Sequence, residues 1–180
     1  MSGRRWDANA AARLLEIRTD ANLDDLQLPQ PYRCFTEIQY YLQRMTDTHR
    51  TTNRTLPLSR RTLDTGEMQI NAGPSIFREP GESCIQFRSG AQLSFGVTVR
   101  VRNGRTELLA YRFHLELLPT SGIKFVRIDL NPAGRGHDPL HTPRSHFHAG
   151  FPQVHFPWPV MRPLEVLDRI FHVIEPAFTS

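Results

Sequence analysis

The hydrophobic pattern changes period along the chain. In the first third, apolar residues recur every three or four positions; from Ser83 onward they alternate with polar ones. Residues 7–18 (DANAAARLLEIR) put Ala11, Leu14, Leu15 and Ile17 on one side behind Asp7, a capping residue, and predict a helix. A break at Pro29-Gln30-Pro31 precedes a second helical stretch, 32–45, whose apolar face carries Phe35, Ile38, Tyr41, Leu42 and Met45. Residues 48–66 have no hydrophobic period. They hold His49, Arg50, Arg54, Arg60 and Arg61 among threonines and predict a loop or weak strand, either a solvated connector or an arm that touches phosphate. Gly73-Pro74 and Pro80-Gly81 are turn signals.

The period-two region predicts strands at CIQFRSG and QLSFGVTVRVR. Asn103-Gly104 then signals a two-residue hairpin that pairs Arg102 with Arg105, Arg100 with Glu107 and Val99 with Leu108. Val97, Val99 and Val101 share one face, whereas Tyr111, Phe113 and Leu115 have the opposite parity on the return strand. A bulge near Leu108-Leu109-Ala110 restores a continuous core face. A second turn at Pro119–Gly122 leads to IKFVRIDL, whose register sets Leu115 against Val126 and Phe113 against Ile128. On the other face Arg112 meets Asp129, His114 meets Arg127 and Glu116 meets Phe125. One side of this hairpin is apolar; the other is charged.

A Gly- and Pro-rich loop, 131–145, contains Arg135, His137, Asp138, His141 and Arg144. His146-Phe147-His148 then reads as a short strand with both imidazoles on one face. FPQVHFPWPVMRP is too rich in proline for a central strand and predicts an edge or covering segment. Pro163 opens a last helix with Leu164, Leu167, Ile170, Phe171 and Ile174 as its buried stripe, and Pro176 is expected to stop it. The expected fold is α+β: an antiparallel meander of four or five strands, N-terminal helices, and one C-terminal helix on the apolar face. Residues 1–82 form a helical and loop region and 83–180 the meander that carries the site, in one compact unit.

All but one of the 22 basic residues are arginine, Lys124 being the exception, and the net charge is +4. Arginine's planar fork suits phosphate and carboxylate and admits RNA or a nucleotide as partner; GC-rich coding raises arginine as well. No apolar run approaches the roughly 18 residues of a membrane helix, and no signal peptide is apparent, so a cytoplasmic protein is expected. The two cysteines, Cys34 and Cys84, form neither a disulfide framework nor a zinc motif. Gly-x-Ser-x-Gly and P-loop motifs are absent.

Of eight histidines, His137, His141, His146, His148 and His155 cluster late in the chain. Three readings are open. In a metal-free acid–base site, general acid and base come from His114, His146 and His148, Asp129 tunes a histidine, and Arg112, Arg127 and Arg144 hold phosphate. In a metal centre, His-x-His binds a divalent ion with His114, His137, His141 or Asp129. In the third, the histidines are structural, as is expected of His49, His155 and His172.

Arg127-Ile128-Asp129 followed by His146-Phe147-His148-Ala149-Gly150 resembles small bacterial families found beside toxin–antitoxin and phage-defence genes. The TumE-like toxins are similar, with an Arg-x-Asp on a late strand, a histidine-rich loop, a His-x-His and a final helix. So is an uncharacterised family with an HFH-Gly signature. The resemblance covers residues 108–176. Here Leu130-Asn131-Pro132 follows the Asp where that toxin pattern has Asn with adjacent histidines. The resemblance implies a toxin or defence component acting on RNA, a metal-independent endoribonuclease, with an antitoxin or defence-system protein as partner. The alternatives are a non-catalytic RNA-, nucleotide- or protein-binding module and a His-ligated, metal-dependent hydrolase.

Overall fold

The computed structural model describes residues 26–73, 84–132 and 144–179. The helix predicted at 7–18 and the loop residues Arg135, His137, Asp138 and His141 lie outside the described residues. The second predicted helix is present as α1 (Pro31–Asp47). Proline at its first position costs no hydrogen bond, because that N–H has no intrahelical acceptor. Cys34, Ile38, Leu42 and Met45 form its buried stripe, with Phe35 and Tyr41 partly buried beside it.

One antiparallel sheet follows. Its strands are β1 (Leu58–Thr62), β2 (Met68–Ala72), β3 (Ile85–Gln86), β4 (Gln92–Arg102), β5 (Arg105–Glu116), β6 (Phe125–Leu130), β7 (Ser145–Ala149) and β8 (Phe156–Pro157). Their spatial order is β1-β2-β4-β5-β6-β7-β8, with β3 pairing β4 beside β2. The sheet is thus larger than the four or five strands expected. Of the additions at the front, β1 falls where no hydrophobic period exists, whereas β2 alternates, with Met68, Ile70 and Ala72 on the core face. β1 is an edge strand with four of its five residues exposed, so its sequence carries no face preference, and pairing to β2 supplies the order.

The β4–β5 hairpin has the expected register, Arg102↔Arg105 through Val99↔Leu108. Asn103 and Gly104 adopt φ of 51° and 73°, the left-handed pair that a type I′ turn requires. Thr98 then pairs Ala110, so Leu109 is the extra residue of a bulge. The bulge returns Tyr111, Phe113 and Leu115 to the face of Val97 and Val99. All five are buried. β5 and β6 pair as read from the sequence, including Arg112↔Asp129 and His114↔Arg127.

The last helix runs α2 (Pro163–Arg169), a π-helical turn (Ile170–Ile174) and α3 (Glu175–Thr179). Val166, Leu167, Ile170 and Phe171 join the same hydrophobic cluster as Phe113, Leu115, Val126 and Ile128. Pro176 does not stop this helix, contrary to expectation. Glu175 N–H donates to Ile170 O, five residues back, so the next donor in that ladder, for Phe171 O, would be residue 176, which has no N–H. Arg50 Nη2 donates to Phe171 O in its place, and the same guanidinium meets Glu175 Oε2 at 3.3 Å. A side chain from the α1–β1 connection thereby lets the helix continue past its proline.

Candidate functional site

The apolar face of the sheet is spent on the core, so the chemistry lies on the other. Two cross-strand rows define it. One runs Gly96, Arg112, Asp129, His146 across β4, β5, β6 and β7; the next runs Ser94, His114, Arg127, His148. β7 is antiparallel to β6, which sets His146 opposite Asp129 and His148 opposite Arg127. β8 pairs Phe156 with Phe147; continuing that register sets His155 beside His148.

Asp129 is the hub. Its carboxylate is 2 % exposed and accepts from Arg112 Nε at 2.9 Å on Oδ1. Arg127 Nε lies 2.8 Å from Oδ2, close enough for an ion pair although the N–H is not aligned as a hydrogen bond. His148 Nε2 is 3.4 Å and His146 Nε2 3.6 Å from the same oxygen. Burial alone would raise the Asp129 pKa; His146, Arg112 and Arg127 outweigh it and hold the carboxyl below its usual range.

The imidazoles form a second cluster. His146, His148 and His155 each offer one ring nitrogen within 4.8 Å of the others, and their ring centroids are 4.4–4.9 Å apart. His146 and His148 are buried and His155 is half-buried. Burial, and then the Arg127 charge, push the His148 pKa down to about 4, so this ring is neutral at pH 7. Arg127 Nη2 lies 2.8 Å from His148 Nε2. Arginine can only donate, so Nε2 accepts and the ring proton sits on Nδ1. That Nδ1 is buried and has no hydrogen-bond partner among the described residues.

The structure therefore brings together Arg112, Arg127, Asp129, His146 and His148. His114 lies on the same face beside Arg127 and stacks on Phe125 at 5.1 Å, outside the imidazole cluster. Its pKa is lowered by burial and then by Arg127. Arg144 is not in contact with Asp129: its guanidinium donates to Asn131 O at 2.9 Å and Leu109 O at 3.3 Å. His155, expected to be structural, completes the imidazole cluster. The signal for it was antiparallel pairing of its segment back onto His146-Phe147-His148. Both thiols shift upward, Cys34 to about 11 chiefly by burial and Cys84 also by burial, away from the thiolate that a nucleophile needs.

The donor set fits a borderline divalent ion such as zinc, which imidazoles bind as neutral ligands. Donors around a tetrahedral ion with bonds about 2.1 Å long stand about 3.4 Å apart, so modest ring rotations close the trio. The carboxylate behind the Nε2 atoms of His146 and His148 is the outer-shell group that commonly orients such ligands. Comparisons with protein-family models, with curated proteins and with solved structures find no match for this chain.

Proposed function

We propose that the protein is a metal-dependent hydrolase of phosphodiesters whose substrate class is RNA, working as a toxin or phage-defence component. The carrying observation is a three-histidine cluster backed by a buried carboxylate and edged by two guanidiniums. It favours the metal centre over metal-free acid–base catalysis for a physical reason. A general acid must hold a proton near neutral pH, and His148, with its pKa near 4, does not; its neutral ring suits a base or a metal ligand, and two further imidazole nitrogens within 4.8 Å favour the ligand.

The ion would supply Lewis-acid polarisation of a phosphoryl oxygen or an activated water. The chain's own part follows from the hydrogen-bond geometry. Ligation through Nδ1 would require the other tautomer of His148, its single ring proton relocated from Nδ1 to Nε2. Asp129 Oδ2, 3.4 Å away, then becomes the acceptor, and Arg127 Nη2 no longer has an acceptor there. Arg127, with a side chain 20 % exposed, and Arg112, 33 % exposed, are placed to hold a phosphate at the outer edge of the site. The half-buried His114 beside Arg127 supports a second reading, in which that neutral ring accepts a proton without a metal.

Incubation of purified protein with a single-stranded RNA, with and without chelator, separates these readings. Cleavage lost with chelator, restored by zinc or manganese, and abolished in His148→Ala/His155→Ala is the expected result. Cleavage indifferent to chelator makes the site metal-free. Absence of cleavage with every metal tried makes the protein a binding module.

A further inference from the structure

The polar face does not end at the histidines. Side-chain parity puts Arg112, Arg100, Arg102 and Arg105 on the face that carries Asp129 and His148. Arg144 belongs to it as well, because Asn131 N–H bonds to Arg144 O in continuation of the Asp129↔His146 pairing. Its guanidinium is clamped across Asn131 and Leu109, midway between the site and the hairpin tip. From Ser94, level with His114, to Arg102 is eight residues, about 26 Å at strand rise. A cleft of about 1300 Å3 flanks the outer half of this path, lined by Arg100, Arg102, Arg105 and Arg144 against Glu67 and Glu107. Glu107 is engaged by Arg100 at 2.9 Å.

Arg102 and Arg105 stand directly opposite each other at the tip. Both are exposed, and neither has an ion pair among the described residues. Like charges in a cross-strand pair destabilise a hairpin, and an anion bound between the two guanidiniums would relieve that repulsion. At the inner end His114 stacked on Phe125 offers a planar surface for a base.

We propose that this arginine row is a binding track for single-stranded RNA, leading from the hairpin tip past Arg144 to the histidine cluster. The inference rests on the RNA reading above and adds where the strand lies and why a polymer is held. A single strand is favoured over a duplex because the track is a narrow line of cations ending at a stacking surface. Phosphates along the strand meet Arg102 and Arg105, then Arg144, then Arg112 and Arg127.

The test is fluorescence anisotropy of a labelled 12-nucleotide RNA with the full chain, titrated at several salt concentrations. Arg102→Glu/Arg105→Glu should weaken binding about 25-fold at 0.1 M salt and reduce the log–log salt slope by about 1.4, the share of two single-strand phosphate contacts. Arg102→Glu alone creates an Arg–Glu cross-strand pair and so keeps the hairpin folded; it should still weaken binding. Unchanged affinity and slope in both variants would overturn the track. So would tighter binding of duplex RNA, or equal competition by heparin at matched charge, which would mark a general polyanion surface. Failure of the hydrolase reading looks different: the wild-type chain then binds the oligomer with the arginine-dependent slope but cleaves neither it nor a dinucleoside phosphate with added metal.

Discussion

His148 carries a measurable mark of its surroundings. Its ordinary pKa is near 6.5 and its folded value about 4. Between these values the unfolded chain takes up a proton that the folded chain refuses. Its contribution to stability is therefore fully present above pH 6.5, falls as pH drops toward 4, and is constant below that. The gap corresponds to on the order of 3 kcal/mol. His114, also lowered, adds in the same direction. Asp129 is displaced downward from 3.8 and acts in a separate window, its contribution present above that value and lost below it. In the metal-free protein, urea midpoints should climb between pH 4.5 and 6.5, and His148→Gln should remove a large part of the climb. A flat profile in the wild type would mean that the ring is not held neutral. The positions of Arg112, His114, Arg127 and Asp129 follow from strand parity alone once the second hairpin's register is known. His155 does not, because a two-residue strand among prolines has too few alternations to declare a partner.

At the level of elements, the hairpins were legible for a local reason. Asn103-Gly104 fixes one register by backbone geometry, and the parity mismatch between Val99 and Tyr111 demands an extra residue, found at Leu109. β1 was legible only as a loop or weak strand, because its residues after Leu58 are polar and exposed on both faces. The continuation through Pro176 was not legible because its remedy comes from Arg50, distant in sequence. That remedy predicts a coupling. Arg50→Ala strips Phe171 O of its donor and leaves Glu175, whose side chain is 7 % exposed, with Ser89 and Thr179 in place of its cation. The loss should be about 2–3 kcal/mol. Pro176→Ala restores a backbone N–H to the turn, so Arg50→Ala should cost less, by about 1 kcal/mol, in that background. Chemical denaturation of the four proteins in the cycle gives the coupling directly, and strict additivity would show that Arg50 does not substitute for the missing donor.

In the whole molecule, the two faces of one sheet divide the work. Phe113, Leu115, Val126 and Ile128 point to the helices, and the residues between them in sequence point to the site. The alternation that buries one set therefore aims the other, and β6 contributes Ile128 to the core and Asp129 to the charged cluster as neighbours. A ligand of the polar face should thus stabilise the entire fold, since β6 and β7 unfold with the core. At a free zinc concentration 100 times its dissociation constant, binding adds about 2.7 kcal/mol. For a chain of 180 residues that corresponds to roughly 5–10 °C in Tm. Ligation requires unprotonated rings, so acid competes with the ion. The shift seen at pH 7.5 should shrink toward zero by pH 4.5, and it should be missing at pH 7.5 in His148→Ala/His155→Ala. Scanning calorimetry at both pH values separates this from nonspecific binding to carboxylates, which the double substitution leaves in place. An undiminished shift in that variant would move the metal away from the histidine cluster.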